Sequence, residues 1–317
     1  MTTGRTAKPA SVCVCICTYK RRELLERSLR GVMAQQSQFS LPVSVVVADN
    51  DREESARPTV ERFLASTGFD VRYCVEPEQN IALARNRALQ QADADLIAFL
   101  DDDEFPSDPW LTEMLQTLLA SGADGVLGPV RPHFDTAPPS WLLPSGLSDR
   151  PEYPTGQTLA WRQTRTGNVL FRRAILQDVG EPFRREFGNG GEDQDFFRRM
   201  MERGCRFVWC NEGVAYEVVP AERCEKRYWW KRALLRGQNE KLHLTPGSVG
   251  KSLVAVPLYL LFLPFAALSG QARFMKFSVR MLDHLGKLFA ATGIRVIRGN
   301  YLSGQPSLAP TAAAGRS

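Results

Sequence analysis

The chain has 317 residues, of which 44% are hydrophobic and 24% are charged, and its formal net charge is +5. This length accommodates one large domain with an appendage, and the apolar content suffices for a sizeable core. So mild a charge does not single out nucleic acid as a partner, and we predict no nucleic-acid binding.

The N-terminal residues and the cysteines indicate a reduced compartment. Residues 1–10 are polar and contain no apolar run, so we expect a disordered start, no secretory signal and a cytoplasmic location. The seven cysteines show no metal-site spacing and fit a reducing environment. Cys13, Cys15 and Cys17 alternate in an apolar run, which places them on one face of a strand as small hydrophobic residues.

The first half of the chain alternates strand and helix patterns. Strands are predicted at residues 11–17, 43–48, 70–75 and 96–100, and helices at residues 21–36, 55–66, 81–91 and 109–121. Asn80 is the predicted N-cap of the third helix, and Asp108 that of the fourth, with Pro109 at its first position. This order predicts an α/β fold with a mostly parallel sheet and helices on both faces.

Polar residues stand at three of the predicted strand ends. They are Thr18-Tyr19, the run from Asp49 to Asp51, and the run from Asp101 to Glu104. Ligands of parallel α/β sheets bind beyond the carboxyl ends of the strands. We therefore expect these three segments to form one site.

The second half is less regular. Residues 133–154 read as a long loop, and a loop of that length in a compact domain is usually functional. Strands are predicted at residues 166–171, 205–209 and 214–219, and helices at residues 192–203 and 223–243. Trp141 and Trp161 flank the loop region and either stack on an acceptor sugar or belong to the core.

The C-terminal part is apolar and basic. Residues 253–268 form a 16-residue apolar run interrupted by Pro257 and Pro264, about 24 Å long as a helix against a hydrocarbon core of about 30 Å. A re-entrant or interfacial segment fits this run better than a span. Residues 274–297 predict a basic amphipathic helix, which is typical of a surface anchor. The alternative is a buried helical pair, and residues 301–317 are expected to be disordered.

The acidic run predicts a metal site. Three consecutive aspartates, Asp101, Asp102 and Asp103, follow a buried strand, and like charges this close call for a neutralising cation. Carboxylates suit Mg²⁺ or Mn²⁺, which bind through one or two of them together with substrate phosphates. The competing interpretation is a solvated acidic turn.

Six short motifs in order resemble family 2 glycosyltransferases of the GT-A fold, and more narrowly the bacterial glucosyltransferases of succinoglycan-type exopolysaccharide assembly. They are CICTYK (15–20), VADND (47–51), NIALARN (80–86), FLDDDE (99–104), TGNV (166–169) and GGEDQD (190–195). The resemblance covers residues 11–245. It implies a Rossmann-like catalytic domain that takes a sugar from a nucleotide donor.

The resemblance also assigns roles to residues. It places Thr18, Tyr19, Asp49 and Arg85 near the nucleotide, and Asp102 near the ribose or the metal. Asp103, with Asp101, would bind the metal. The competing interpretations are a turn residue for Asp49 and a surface helix charge for Arg85.

The residues after Gly190-Gly191 are the predicted catalytic group. An inverting transfer needs one carboxylate to remove the proton of the acceptor hydroxyl. The resemblance makes Asp193 this base, and Glu192 a residue that orients the donor or acceptor sugar. Alternatively, both carboxylates merely complement a helix dipole.

These features predict an inverting glycosyltransferase, with UDP-glucose as donor and a lipid-linked oligosaccharide as acceptor. The basic helix at residues 223–243 could face lipid head groups or a lipid diphosphate. We expect a catalytic domain at 11–245 and a membrane-associating region at 246–300, attached to the cytoplasmic face of the inner membrane.

Two rival functions remain. A nucleotidyltransferase would need a glycine-rich triphosphate loop after the first strand, and residues 17–21 contain no glycine. A non-catalytic nucleotide-sugar-binding protein would lack the base that Asp193 provides.

Overall fold

The computed structural model describes residues 9–36, 39–188, 190–239 and 245–294. The chain divides into two compact units, Met1–Ala137 with Ser148–Val219 and Pro138–Leu147 with Pro220–Ser317. Residues 1–8 and the tail at 301–317, both expected to be disordered, lie outside the described residues. Ala10 is described, and its backbone N–H donates a hydrogen bond to Asp95 Oδ2 (2.7 Å).

The first unit begins with the four predicted strand-helix pairs. They are β1 (Val12–Thr18), α1 (Arg22–Gln35), β2 (Val43–Asp49), α2 (Arg57–Thr67), β3 (Val71–Val75), α3 (Ile81–Gln91), β4 (Leu96–Asp101) and, after β5 (Glu104–Pro106), α4 (Trp110–Ser121). Asn80 caps α3 as predicted, because its side chain accepts hydrogen bonds from the backbone N–H groups of Ala82 and Leu83. Asp108 does not cap α4, which starts one residue later than predicted with Pro109 at the N-cap.

The rest of the chain contains shorter elements and three long helices. They are β6 (Gly125–Leu127), β7 (Val130–His133), α5 (Leu142–Ser145), β8 (Val169–Arg172), α6 (Glu192–Glu202), β9 (Phe207–Trp209), β10 (Ala215–Val218), α7 (Lys226–Asn239), α8 (Pro246–Leu268) and α9 (Gln271–Thr292). The predicted helix ends at residues 240–243 and 295–297 lie outside the described residues.

Within the described residues, seven strands form the main sheet in the order β3-β2-β1-β4-β8-β6-β9. The pairs from β3 to β4 are parallel as predicted, but β8 runs antiparallel to both β4 and β6. A small sheet with the order β5-β10-β7 was not predicted. Its first strand is three residues long, which is too short for a hydrophobic period to reveal.

The strands of the main sheet are buried on both faces. On β1, Val12, Val14 and Ile16 face one hydrophobic cluster, whereas Cys13 and Cys15 face the other. The predicted role of these cysteines as small hydrophobic residues is therefore confirmed. Two apolar layers hold the sheet, and its carboxyl edge carries the polar strand ends.

The second unit contains α8, a helix of 23 residues. The sequence pattern predicted a shorter run of 16 residues, but the helix begins at Pro246 and continues through both Pro257 and Pro264. It is therefore about 34 Å long at about 1.5 Å per residue. Among the described residues, α8 is the one helix with the length and composition to cross a membrane. The predicted boundary at residue 245, between the catalytic domain and the membrane-associating region, stays a prediction. The boundary between the two compact units lies elsewhere, after Val219.

Asn168 is a buried junction between α4 and the loops beneath it. Its side-chain oxygen accepts a hydrogen bond from Trp110 Nε1 (2.6 Å), and its Nδ2 donates to the carbonyls of Pro129 (2.8 Å) and Gly213 (2.8 Å). The residue adopts a left-handed φ of 59°, which explains why β8 starts at Val169 rather than at residue 166.

We expect Asn168→Ala to lower the free energy of unfolding by about 2 kcal/mol or more. Trp110 Nε1 and the Gly213 carbonyl would lose their partner at about 1 to 3 kcal/mol each, whereas the Pro129 carbonyl keeps a hydrogen bond from the backbone N–H of Ala215. Urea denaturation measures this change. Asn168→Gly is the matched control, since glycine tolerates the positive φ but makes none of the bonds. Near-wild-type stability of Asn168→Gly would show that only the backbone conformation matters.

Candidate active site

The carboxyl ends of three neighbouring strands meet at one edge of the main sheet. Thr18 at the end of β1 is in register with Asp49 of β2, and Cys17 is in register with Asp101 of β4. The polar strand ends therefore lie side by side, as their positions after parallel strands predicted.

Arg21 holds two of the three consecutive aspartates. Its Nη1 donates to Asp102 Oδ1 (2.9 Å) and to Asp103 Oδ2 (3.0 Å). Asp102 is buried and also accepts a hydrogen bond from Thr18 Oγ1 (2.8 Å). Burial raises the pKa of Asp102 in spite of these donors. Thr18 and Asp102, both predicted to bind the nucleotide, thus bind each other in this structure.

Asp101 and Asp103 differ from Asp102 in their accessibility. The side chain of Asp101 is 47% exposed and that of Asp103 is 16% exposed. Burial and the repulsion of the Asp102 and Asp101 carboxylates raise the pKa of Asp103 to about 7, against the opposing charge of Arg21. The acidic run therefore presents one accessible carboxylate, Asp101, beside another, Asp103, whose ionised form is disfavoured by its surroundings.

Arg85 links the end of β4 to the start of α6. Its Nη1 donates to Glu192 Oε1, its Nη2 lies 3.6 Å from Asp101 Oδ1, and its guanidinium lies over the Phe183 ring. The side chain is buried, so it is not the surface charge that the competing interpretation assumed. Burial opposes its charge, yet Glu192, Asp101 and Asp193 together raise the pKa of Arg85.

Glu192 and Asp193 open α6 but occupy different environments. Glu192 is buried, and burial raises the pKa of its carboxyl against the influence of Arg85. Among the described residues, no donor reaches its Oε2. Asp193 is half-buried, and its Oδ1 accepts a hydrogen bond from the backbone N–H of Gln194 (2.7 Å). Gly190 and Gly191 have φ values of 117° and 92°, which glycine adopts without strain at this helix start.

Asp49 has a structural role at the end of β2. Its Oδ1 accepts from the backbone N–H of Asp51 (3.1 Å), and its Oδ2 accepts from Ala56 N–H (2.7 Å) and from the Tyr73 hydroxyl (2.8 Å). The carboxylate is fully buried, and burial raises its pKa. The turn interpretation therefore describes its present contacts, and a contact with the base stays a prediction. Tyr19, by contrast, is half-exposed at the same edge.

Several charged residues at this edge were not singled out from the sequence. Glu104 and Glu217 are cross-strand partners in the small sheet, and Arg150 from the predicted long loop pairs with Glu217. Arg165 is influenced by Asp101, Glu104 and Glu217, but burial lowers its pKa. Its Nε and Nη2 have no hydrogen-bond acceptor among the described residues. In the sequence, only the charge of these four residues could suggest a place at the site, because their partners lie far away along the chain.

Gly167 brings its backbone against the carboxylates. A Cβ at this position would lie 2.8 Å from Glu104 Oε1 and 3.0 Å from Asp101 Oδ2. Any larger residue would therefore displace these side chains. Of the two tryptophans considered for sugar stacking, Trp141 is buried and Trp161 is half-buried with Arg162 over its ring.

The acidic edge has the oxygen chemistry for a divalent cation. Within the described residues, no three His, Cys, Asp or Glu side chains converge in a metal-binding arrangement. Mg²⁺ commonly needs only one or two carboxylates when phosphates of a substrate complete its coordination. The accessible Asp101 and the neighbouring Asp103 fit such a pair.

A profile of the family described as "Glycosyl transferase family 2" matches residues 13–180. The chain belongs to this family. It is accordingly a nucleotide-sugar-dependent glycosyltransferase, and the predicted family and GT-A fold are confirmed.

This glycosyltransferase is similar to the succinoglycan biosynthesis protein ExoM of Rhizobium meliloti (strain 1021). The two are 34% identical over 296 residues, which cover 89% of this chain and 93% of ExoM. Two solved structures share its fold. A mannosyltransferase from Pyrobaculum calidifontis, in complex with GDP-Man and Mn²⁺, matches 90% of this chain and 88% of its own with a TM-score of 0.59 and 18% identity. Residues 1–349 of TarS of S. aureus, in complex with UDP, match 90% of this chain and 93% of that one with a TM-score of 0.51 and 15% identity.

The contact between Arg85 and Glu192 can be measured by a double-mutant cycle. We expect Arg85→Gln to cost about 3 to 5 kcal/mol of unfolding free energy, because it leaves Glu192 buried without its cation. Adding Glu192→Gln should recover part of this loss. Urea denaturation of the two single variants and the double variant gives the coupling energy. Strict additivity would show that the two side chains do not interact.

Proposed function

We propose that this enzyme transfers glucose from UDP-glucose to a hydroxyl of a lipid-linked oligosaccharide, with inversion at the sugar. The observation that carries the proposal is the position of Arg85, which contacts both Asp101 at the acidic end of β4 and Glu192 at the start of α6. Similarity to a succinoglycan biosynthesis protein supports a role in polysaccharide assembly, and the UDP complex of TarS supports a uridine nucleotide.

The acidic strand end would receive the diphosphate of the donor. Asp101 and Asp103 would hold Mg²⁺ or Mn²⁺, which when bound neutralises charge on the departing diphosphate. Asp101 is accessible enough to bind a ligand directly. Arg21 would hold Asp102 in place, and Thr18 would do so from β1. The half-exposed Tyr19 would contact the nucleotide, near the turn that Asp49 organises.

The start of α6 would activate the acceptor. Asp193 would accept the proton of the acceptor hydroxyl as that oxygen attacks the anomeric carbon and the bond to the diphosphate breaks. Its half-buried position leaves it more accessible than its neighbour. Glu192 is held by Arg85 and would orient the sugar. Arg85 would thereby hold Glu192 in position for the sugar and would itself lie near the donor.

This division of roles predicts separable defects. Asp193→Asn should keep UDP-glucose binding but lose turnover by about 10²- to 10⁴-fold, the usual contribution of a general base. Asp103→Asn should instead lose the metal-dependent part of donor binding. Calorimetric titration with and without Mn²⁺, combined with UDP release in the presence of a glucan-oligosaccharide acceptor, measures both.

Asp108→Asn is the control, because Asp108 is an exposed aspartate outside the site. Wild-type turnover in Asp193→Asn would remove Asp193 as the base. Failure of the wild-type protein to bind any uridine nucleotide sugar, tested with UDP-GlcNAc and UDP-galactose as well, would contradict the proposed donor class.

The second unit would attach the enzyme to the cytoplasmic face of the inner membrane. Large apolar side chains of α8 are exposed: Leu253, Val254, Leu258, Leu260, Leu261, Phe262, Phe265 and Leu268. The length of α8 permits a span, but α9 packs along it and carries charges such as Lys276, Arg280 and Asp283. A spanning pair would bury these charges in hydrocarbon at several kcal/mol. An interfacial position avoids that cost.

Membrane attachment through α8 predicts an effect of polar substitutions on its exposed side. We expect Leu258→Gln combined with Leu261→Gln to shift much of the protein from the membrane to the soluble fraction, because the two side chains are 49% and 62% exposed and would lose their hydrocarbon contacts. Cell fractionation with immunoblotting measures the shift. Leu119→Gln is the control, since Leu119 is 44% exposed on α4 of the first unit. An equal shift in the control would discount α8.

A further inference from the structure

The NIALARN motif contains three polar residues, and the proposed function uses only one of them. Arg85 contacts Glu192, whereas Asn80 and Asn86 have no part in the proposed chemistry. Both asparagines nevertheless bind the chain just before α6, in the segment 183–188. This segment leads to the carboxylates of the active site, so its attachment to α3 calls for an explanation.

Asn86 holds the first residue of this segment, Phe183. Its Nδ2 donates to the Phe183 carbonyl (2.7 Å), and its Oδ1 accepts from the Phe183 N–H (3.0 Å). The Phe183 ring is fully buried and stacks on the ring of Phe196 in α6, with 4.8 Å between their centroids. The segment is therefore fixed at this end to both α3 and α6.

Asn80 holds the other end of the segment, nearer to Asp193. Its Nδ2 donates to the Arg185 carbonyl (3.1 Å), while its Oδ1 accepts from two backbone N–H groups in the first turn of α3. Gly188 lies directly against the same side chain, since a Cβ there would lie 2.2 Å from Asn80 Cγ. Arg185 also pairs with Glu78, but both side chains are exposed, and exposed pairs contribute little. One amide thus caps the helix with its oxygen and holds the segment with its nitrogen.

The backbone of Asn80 is fixed to the edge of the main sheet. Its N–H donates to Asn50 Oδ1 (2.9 Å), and Asn50 Nδ2 donates to the carbonyls of Glu76 (3.0 Å) and Glu78 (2.5 Å). Asn50 is buried and directly follows Asp49 at the end of β2. The point from which Asn80 holds the segment is therefore set by the edge at which the nucleotide would bind.

The position of the segment determines the position of the start of α6. The Gly190 N–H donates to the Phe187 carbonyl (2.8 Å), and Arg184 Nη2 lies 3.1 Å from Oδ1 of the buried Asp195. Both contacts lie within three residues of Asp193 along the chain. A shift of the segment would therefore shift the carboxylate that would accept the proton.

We propose that Asn80 is a positioning residue of the reaction, which holds the segment 183–188 on α3 through its amide N–H and thereby sets where Asp193 lies relative to the donor. The inference rests on the proposed role of Asp193 as the base. Asn80 acts through the segment and not on a substrate. Loss of this contact should slow the chemical step and leave nucleotide binding in place, because the strand ends that would bind the nucleotide keep their own hydrogen bonds.

Three variants separate the contact with the segment from the helix cap. Asn80→Asp and Asn80→Ser keep an oxygen that can cap α3, and both remove the amide N–H that the Arg185 carbonyl accepts. Serine adds no charge, so equal results for the two exclude an effect of the new carboxylate. Gly188→Ala leaves Asn80 unchanged but pushes the segment away from it, and a φ of −59° suits alanine. Gln90→Ala, at an exposed position of α3, is the control.

We expect the three variants to lower kcat by about tenfold or more, since a displacement of about 1 Å can cost about 10²-fold. UDP release from UDP-glucose, with Mn²⁺ and a glucan-oligosaccharide acceptor, measures kcat. Calorimetric titration with UDP should give the wild-type affinity for all three, and urea denaturation should give near-wild-type stability for the two Asn80 variants. Gln90→Ala should match the wild type in all three measurements.

Wild-type kcat in all three variants, with turnover lost in Asp193→Asn, would overturn this inference and leave the proposed function intact. A parallel fall of kcat, UDP affinity and stability in the Asn80 variants would also overturn it, because it would show a purely structural role. Wild-type turnover in Asp193→Asn would instead remove the proposed base and, with it, this inference.

Discussion

The arrangement of the site depends on one buried cation, Arg85. The end of β4 and the start of α6 are about ninety residues apart in the chain, yet both place carboxylates against this guanidinium. Without a cation, Asp101, Glu192 and Asp193 would repel one another at close range. The contacts of Arg85 with Asp101 and Glu192 offset this repulsion. They also fix the distance between the end of β4, where a diphosphate would bind, and the start of α6, where a hydroxyl would be activated.

The same balance of charge extends around the sheet edge. Arg21 holds Asp102 and Asp103, and Arg150 holds Glu217. These pairs leave Asp101 accessible and Asp103 with a pKa raised to about 7 by burial and its neighbours. Positive charge that arrives with a ligand would lower the electrostatic cost of this edge. The protein's own arginines hold the carboxylates in place, and the remaining negative charge provides the attraction for a cation.

Local pattern was sufficient for the first four strands and helices, because each is long and bounded by clear turn signals such as the Asn80 cap. Local pattern was insufficient where contacts between distant parts of the chain determine the structure. Asn168 delays the start of β8 to Val169, with a left-handed backbone and hydrogen bonds to three distant segments. β8 also runs antiparallel to β4, which no local pattern indicates. The α8 helix packs along α9 and continues through two prolines, although proline disfavours the interior of a helix. Arg165 and Glu217 could not be placed at the edge without the fold that brings them there.

Residue type alone also fails to assign roles within the acidic strand ends. Asp49, Asp101 and Asp102 have the same side chain and stand at the ends of β2 and β4, the two strands that flank β1, but their surroundings differ. Asp49 accepts three hydrogen bonds and organises a turn, and Asp102 is enclosed by Thr18 and Arg21. Asp101 combines exposure to solvent with a position facing Arg85. A carboxylate whose lone pairs are already filled has little to offer an incoming ligand. Accessible oxygen atoms, more than the acidic motif as such, therefore determine where chemistry can take place at this edge.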